Sequence, residues 1–291
     1  MVLASLAFCA MAVFVKLASA SHHAVEIMFW RGLLGALAIA AWALPRGGAF
    51  VGERFPAHLT RSAVGTASLL CWYWSLGFLP LATAMTLNYT SPLFIAAILV
   101  GGAAMGRGRV EAPLAAALLV GFGGIVLLLR PSFAADDVLP ATVGLIGGAV
   151  SALAYLQVRK LGQAGEPGWR IVFWFCAMQV VLGAVAMIAH IGMRLPNAHN
   201  AGLLVAVAGS ALIGQVCMTR AFSRGKTLLA ANLQYLGVVF AAIAGWWLLD
   251  ERIDRSALAG MAVILASGAA ATALTARQGS KARADAAGQA S

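Results

Sequence analysis

Residues 72–102 read W-Y-W-S-L-G-F-L-P-L-A-T-A-M-T-L-N-Y-T-S-P-L-F-I-A-A-I-L-V-G-G, from Trp72 to Gly102. The run is too long and too apolar for a helix of a soluble domain, yet it carries Asn88, Tyr89 and Pro92 near its centre. About 20 apolar residues suffice to cross a bilayer as a helix. A second stretch, Met218–Leu248, repeats the first 146 positions later. Cys71 matches Cys217, Ala84 matches Ala230, Leu87 matches Leu233, Tyr89 matches Tyr235 and Phe94 matches Phe240. Asn88 falls on Gln234, so one amide follows another. A repeated apolar segment with a paired amide and phenol at mid-depth is the feature around which the chain is organised.

The composition agrees. Of 291 residues, 62% are hydrophobic and 10% charged, and mean hydropathy is +0.88. Soluble domains carry about 25% charge, so the chain reads as a polytopic membrane protein whose main surroundings are the lipid bilayer. The apolar segments lack the period-2 alternation of a barrel, which makes the class all-α. A net charge of +10 would suggest nucleic acid as a partner of a soluble protein. Here the basic residues lie in short loops, where they set topology, and no nucleic-acid partner is expected. Cys9, Cys71, Cys176 and Cys217 sit inside apolar segments without metal-ligand spacing, and they read as packing residues. No metal site and no cofactor are expected. Ala18-Ser19-Ala20 resembles a signal-peptidase site, but no charged region precedes it and Lys16 interrupts the apolar run, so residues 2–19 read as a first spanning helix.

Ten helices are predicted, at 2–19, 25–44, 60–78, 81–102, 112–129, 140–160, 169–190, 201–221, 227–249 and 256–275. Pro45, Gly47 and Gly48 end the second, and Pro80 starts the fourth. Pro131 and Pro140 bracket the link between halves. The Ala/Gly/Ser-rich tail after Thr275 is expected to be disordered. With the N-terminus in the cytoplasm, fourteen Lys and Arg, Arg61 among them, fall on inner segments and five on outer ones. The excess on one side places both termini in the cytoplasm.

Shifted by 144, Lys16-Leu17 matches Lys160-Leu161, Ile27 matches Ile171, Phe29-Trp30 matches Phe173-Trp174, Leu114 matches Leu258 and Gly124 matches Gly268. These matches define two five-helix units, residues 1–131 and 132–276, followed by a tail at 277–291. Five is odd, so the second unit enters the membrane upside down. Inverted repeats are a device of transporters, in which the halves open alternately around one central midplane cavity.

Five plus five helices, the segment A-T-A-M-T-L-N-Y-T-S-P-L-F and its echo ending W-W-L-L-D-E-R resemble the drug/metabolite transporter superfamily, EamA type. The resemblance covers residues 1–275. It implies a multi-pass transporter of the cytoplasmic membrane, and not an enzyme. The aromatic density is similar to that of the bacterial exporters of aromatic and other neutral amino acids (YddG-like). The family's acidic-basic pair after the ninth helix corresponds to Glu251-Arg252, but the matching place in the first half reads Met105-Gly106-Arg107, without the glutamate. Glu251 is therefore assigned a structural role. Arg31 stands where the family commonly has an arginine in the second helix.

The candidate site residues follow from depth and polarity. Asn88 and Gln234 are amides able to donate to and accept from a polar headgroup, against a role as interhelical bonds. Tyr89 and Tyr235 adjoin them, away from the interfacial belts. Met85, Asn88, Tyr89 and Pro92 share one face at i, i+3, i+4, i+7 spacing, and Pro92 frees a backbone carbonyl. Trp72 and Tyr73 are the cavity candidates of the aromatic triplet 72–74. Tyr155 and Gln215 are further polar residues at depth. Lys16 and Arg31 are cations inside the membrane zone. Lys16 is a candidate for a substrate carboxylate, whereas Arg31 is assigned a structural role, with pairing to Glu26 as one form of it.

No Asp or Glu falls mid-helix. An intramembrane carboxylate is a common proton relay, so its absence predicts a facilitator or exchanger. An aromatic, amide-bearing and uncharged cavity suits a zwitterionic amino acid, exported by alternating access. The alternatives are other solutes of the same superfamily (purines, organic cations, nucleotide-sugar-like compounds), an intramembrane enzyme or a channel. Ser75, Ser91, Ser151 and Ser210 have no deep histidine partner, which argues against the enzyme. The expected assembly is a monomer or weak homodimer.

Overall fold

The computed structural model describes residues 1–19, 21–76, 78–79, 81–105, 112–129, 138–191, 198–249 and 255–288. Every regular element among them is helical. In chain order these are α1 (Val2–Ala18), α2 (Ala24–Ala43), α3 (Phe55–Leu76), α4 (Leu81–Asn88), α5 (Ser91–Ala104), α6 (Ala112–Leu129), α7 (Val138–Gln163), α8 (Gly168–Ala186), α9 (Ala198–Arg224), α10 (Thr227–Gln234), α11 (Leu236–Leu249) and α12 (Arg255–Gly288). A 3₁₀ turn at Leu44–Arg46 follows α2, and a π turn at Met187–Ile191 follows α8. Among the described residues, eight helical stretches are long and apolar enough to cross a membrane. The apolar part of α1 is shorter, and α3 is diluted by His58, Thr60, Arg61, Ser62, Thr66 and Ser68.

Three boundaries differ from expectation for physical reasons. First, α3 begins at Phe55 rather than at 60, because Pro56 fits the first helical turn, where its missing N–H costs nothing. This moves Arg61 from the first turn of the helix, where it counts as an inner-end charge, to the second turn. Second, the two apolar runs at 81–102 and 227–249 are each broken in the middle. Pro92 cannot donate to the carbonyl of Asn88, so the chain turns at Tyr89-Thr90 and restarts at Ser91. The Thr90 hydroxyl donates to the Leu87 carbonyl at 2.5 Å and helps close that turn. The expected single face linking Met85, Asn88, Tyr89 and Pro92 is therefore interrupted, and Pro92 instead opens α5. The second break, at Tyr235, has no proline. The Tyr235 N–H donates to the Asn232 carbonyl (3.0 Å) in a tightened turn, and the Asn232 side chain donates to Ser267 of α12 (3.3 Å). Third, α12 continues to Gly288. Residues 277–288, expected to be disordered, are helical, and eight of these twelve residues are Ala, Arg, Lys or Gln, all strong helix formers.

The main packing pairs are α6 with α12, α3 with α7, α1 with α9 and α2 with α8. Small residues let these helices approach. A side chain at Gly260 would stand 2.7 Å from both the Gly124 carbonyl oxygen and the Leu128 nitrogen, so α12 and α6 cross backbone to backbone. On α2, a side chain at Gly32 would stand 2.8 Å from the Cys176 carbonyl of α8. The α3–α7 seam is polar. Ser68 donates to the Gly147 carbonyl (3.0 Å) and pairs with Ser151, and Ser75 donates to the Pro140 carbonyl (3.1 Å).

Candidate transport site

The two helix breaks face each other. The rings of Tyr89 and Tyr235 meet edge to face, with centroids 6.3 Å apart and planes at 69°. Tyr235 is fully buried, and Phe122 of α6 flanks it at 6.5 Å. The Tyr89 hydroxyl lies over Gly237, where an added Cβ would come within 2.8 Å of it. Ser5 of α1 donates to the Leu233 carbonyl at 3.1 Å and so holds the end of α10. Beside the tyrosine pair, Gln234 Nε2 donates to the Tyr155 hydroxyl of α7 at 3.2 Å. Tyr155 stacks on Phe222 of α9 with centroids 4.9 Å apart and planes at 6°. Among the described residues, Gln234 Oε1 and the Tyr235 hydroxyl find no hydrogen-bond partner, although both are buried. Buried polar atoms are normally satisfied, so two unused hydrogen-bonding groups stand beside the tyrosine pair.

Four expected site residues, Tyr89, Tyr155, Gln234 and Tyr235, thus converge. Asn88 and Met85 are half-buried on α4. Gln215 is buried on α9 with its Nε2 unpartnered, and Trp72 is half-buried on α3 where that helix packs on α7. The side chains of Lys16 and Tyr73, and the whole of Glu251, lie outside the described residues.

The interior also holds charge. Arg61 is 2% exposed, and its Cζ stands 4.2 Å from the centroid of the Phe175 ring on α8. Arg31, 7% exposed, approaches the same ring at 5.9 Å. Arg61 Nε and Nη1 have no hydrogen-bond partner among the described residues. One turn beyond Phe175 on α8, Gln179, 1% exposed, donates through Nε2 to the Phe175 carbonyl at 3.4 Å, and its Oε1 is unpartnered among the described residues. Arg61 lies on α3, which packs along α7, the helix that carries Tyr155.

These contacts correct two expectations. The interior is not uncharged, since Arg61 is buried in it rather than exposed at the cytoplasmic end of its helix. Arg31 does not pair with Glu26. The two stand five residues apart, about 140° around the helix, and Glu26 is engaged at the N-terminus of α2. There it accepts from the His23 N–H at 2.8 Å and lies 3.5 Å from His22. A polar stripe at helical spacing, His58, Arg61, Ser62, Gly65 and Thr66, was the available signal for Arg61.

One end of the molecule, formed by the start of α3, the α7–α8 connection and the segment before α3, is tied shut. Glu166 lies 2.9 Å from His58 Nε2 and accepts from Arg170 at 2.8 Å. Burial raises the Glu166 carboxyl, but the hydrogen bonds and charges of His58 and Arg170 outweigh it and hold the group below the usual carboxylate range. Phe50 packs against Trp169 and Phe173, Phe55 packs against Trp174, and Trp174 donates to the Phe50 carbonyl at 2.9 Å. Among the described residues no three His, Cys, Asp or Glu side chains are grouped to hold a metal.

Comparison with known proteins places this arrangement. The model of the EamA-like transporter family matches residues 1–130 and 139–272. The chain is 32% identical over 264 residues to the pseudopaline exporter CntI of Pseudomonas aeruginosa, covering 91% of each protein. It is 24% identical over 274 residues to an uncharacterized transporter of Helicobacter pylori, again covering 91% of each. It is 22% identical over 247 residues to an S-adenosylmethionine uptake transporter of Rickettsia bellii, covering 84% of this chain and 81% of that one. A protein crystal structure superposes with a TM-score of 0.79 at 20% identity, covering 94% of this chain and 97% of the other, and so shares the fold. With its apolar helices, its facing helix breaks and a family match over nearly its whole length, the chain is a multi-pass membrane protein and a transporter, not an enzyme, and it belongs to the EamA-like transporter family.

Proposed function

We propose that this transporter is an alternating-access exporter of small metabolites, built as two inverted five-helix repeats, residues 1–131 and 132–276, around a site between the helix breaks. The observation that carries the reading is that residues related by the repeat touch one another. Gly32 packs on Cys176, 144 positions on, and Tyr89 meets Tyr235, 146 positions on. Equivalent positions of two halves meet only along a twofold axis, and an axis in the membrane plane relates inverted halves. The helix pairing supports the same symmetry. Exchanging halves turns α1–α9 into α7–α3, α3–α8 into α9–α2 and α1–α11 into α7–α5, and all six pairs occur. Ten spans follow when α4 with α5 and α10 with α11 each count as one broken span.

Export is favoured over uptake because the relative at 32% identity is named for export, whereas those named for uptake stand near 22%. The cargo we infer is amino-acid-like. Gln234, Asn88 and Tyr155 offer donors and acceptors to its headgroup, while Tyr89, Tyr235 and Met85 meet its apolar part. Loop charge supports a cytoplasmic-membrane location with both termini inside, and thirteen basic residues remain on the inner segments without Arg61. The test is counterflow in proteoliposomes with labelled aromatic, branched and polar amino acids and purine-type metabolites. The reading expects saturable exchange that persists without a pH gradient. If no amino acid competes, the cargo is wrong. If flux fails to saturate, the carrier reading is wrong.

A further inference from the structure

We infer that Arg31 and Arg61 form a buried anion site that binds the carboxylates of the transported metabolite, so that the cargo is a carboxylate-bearing compound with its best charge match at two carboxylates. The inference deepens the transport reading and rests on it.

Three observations carry it. The first is the cost of the arrangement. A guanidinium taken out of water needs a partner, and among the described residues neither arginine forms an ion pair with a carboxylate. The described acids that approach the interior are already engaged, Glu26 at the start of α2 and Glu166 at the closed end. The face of Phe175 offers a cation–π contact to both arginines, but it supplies no acceptor for the orphaned N–H groups of Arg61.

The second is geometry. Arg61 comes from the first half of the chain and Phe175 from the second, while Arg31 reaches the same ring from α2, beside the tight Gly32–Cys176 contact. Two planar forks thus share one small region at the junction of the halves. Such forks suit bidentate recognition of carboxylates.

The third is continuity. Arg61 lies on α3, which packs along α7; from α7 Tyr155 accepts from Gln234, which adjoins the Tyr89–Tyr235 pair. A carboxylate on the arginines would leave the remainder of a small metabolite beside these amides and phenols. Organic cations, by contrast, would face two unneutralised positive charges. This selects against that part of the superfamily's range by repulsion as well as by fit.

The test uses the purified full-length protein in detergent, with thermal unfolding followed by tryptophan fluorescence. Succinate, acetate and chloride are compared at low millimolar concentration and equal ionic strength. Succinate is expected to raise the unfolding temperature by several degrees over chloride, with acetate between them. The gain should vanish in Arg61→Gln and shrink in Arg31→Gln, but persist in Arg46→Gln, which removes an exposed arginine. Arg61→Gln should unfold no lower than wild type in chloride, because it relieves an unpaired buried charge. A structural arginine predicts the reverse, a lower unfolding temperature with the succinate effect intact. Should Arg61→Gln fail to fold, Arg61→Lys, which keeps the charge but not the fork, should fold and lose most of the gain. Equal stabilisation of wild type by succinate and chloride would overturn the inference, as would an undiminished gain in the variants. Amino-acid counterflow together with that result would leave the transport reading standing. Succinate binding without saturable flux of any cargo would sink the transport reading instead.

Discussion

Tyr89 and Tyr235 stand 146 positions apart and meet edge to face at 6.3 Å, each at the break of a two-part helix. In the proposed repeat, the contact joins corresponding points of the two halves. Tyr235 is fully buried, and among the described residues its hydroxyl has no hydrogen-bond partner. In the proposed mechanism a relative motion of the halves changes this contact directly.

Tyr235→Phe removes a buried hydroxyl that makes no hydrogen bond and keeps the ring. Stability should be unchanged or rise by about 1 kcal/mol, since an unsatisfied polar group is removed. Tyr235→Leu also loses the edge-to-face contacts, worth about 0.5–1.5 kcal/mol beyond area, and should unfold at lower temperature. Thermal unfolding of the two variants side by side checks the order.

Gln234→Leu deletes the bond to Tyr155, and Asn88→Leu deletes the matching amide. A membrane interhelical bond is worth about 0.6 kcal/mol on average, so both proteins should insert and fold. Counterflow should nevertheless fall by roughly tenfold, the equivalent of about 1.4 kcal/mol in binding. Normal transport by both variants would reduce the amides to helix glue.

Gly260→Ala places a methyl group 2.7 Å from backbone atoms of α6 that cannot turn away. Overpacking of this kind costs about 1–3 kcal/mol. The expected result is a lower unfolding temperature. Gly202→Ala, where nothing lies within 4 Å, should show no such loss.

Glu166 gives a pH signature. Its folded carboxyl lies below the ordinary carboxylate value because of His58 and Arg170. A depressed folded value contributes stability that is present above the unfolded value, near 4.3 for glutamate, and is lost as pH falls through the folded one. The closed end should therefore open on acidification below about pH 4, seen as faster amide exchange at the start of α3. Glu166→Gln should weaken the end by about 1–3 kcal/mol already at neutral pH and abolish the acid transition.

How far the sequence reaches is clearest at the two breaks. Pro92 announces an interruption, because a proline N–H is missing wherever it falls, but the chain alone does not say whether the helix kinks or restarts. The break at Tyr235 has no such local mark, and it is legible only through the match to Tyr89. The convergence of Gln234 with Tyr155 depends on how α7 packs against α10, which no spacing within either helix encodes. Arg61 shows the opposite failure. A basic residue near a predicted helix start resembles a topogenic loop charge, and only the earlier start at Phe55 turns it inward. The tail beyond Thr275 has a composition shared by disordered linkers and by alanine-rich helices, and composition alone does not separate them.

The most direct test of the central claim is access to the site from both sides. With Cys9, Cys71, Cys176 and Cys217 replaced by alanine, Asn88→Cys would be probed with a membrane-impermeant thiol reagent in right-side-out and inside-out vesicles. Alternating access around the facing breaks predicts labelling from both faces, slowed in each case by a compound that competes in counterflow. Labelling from one face only, or from neither while transport persists, would contradict a central site between the two halves.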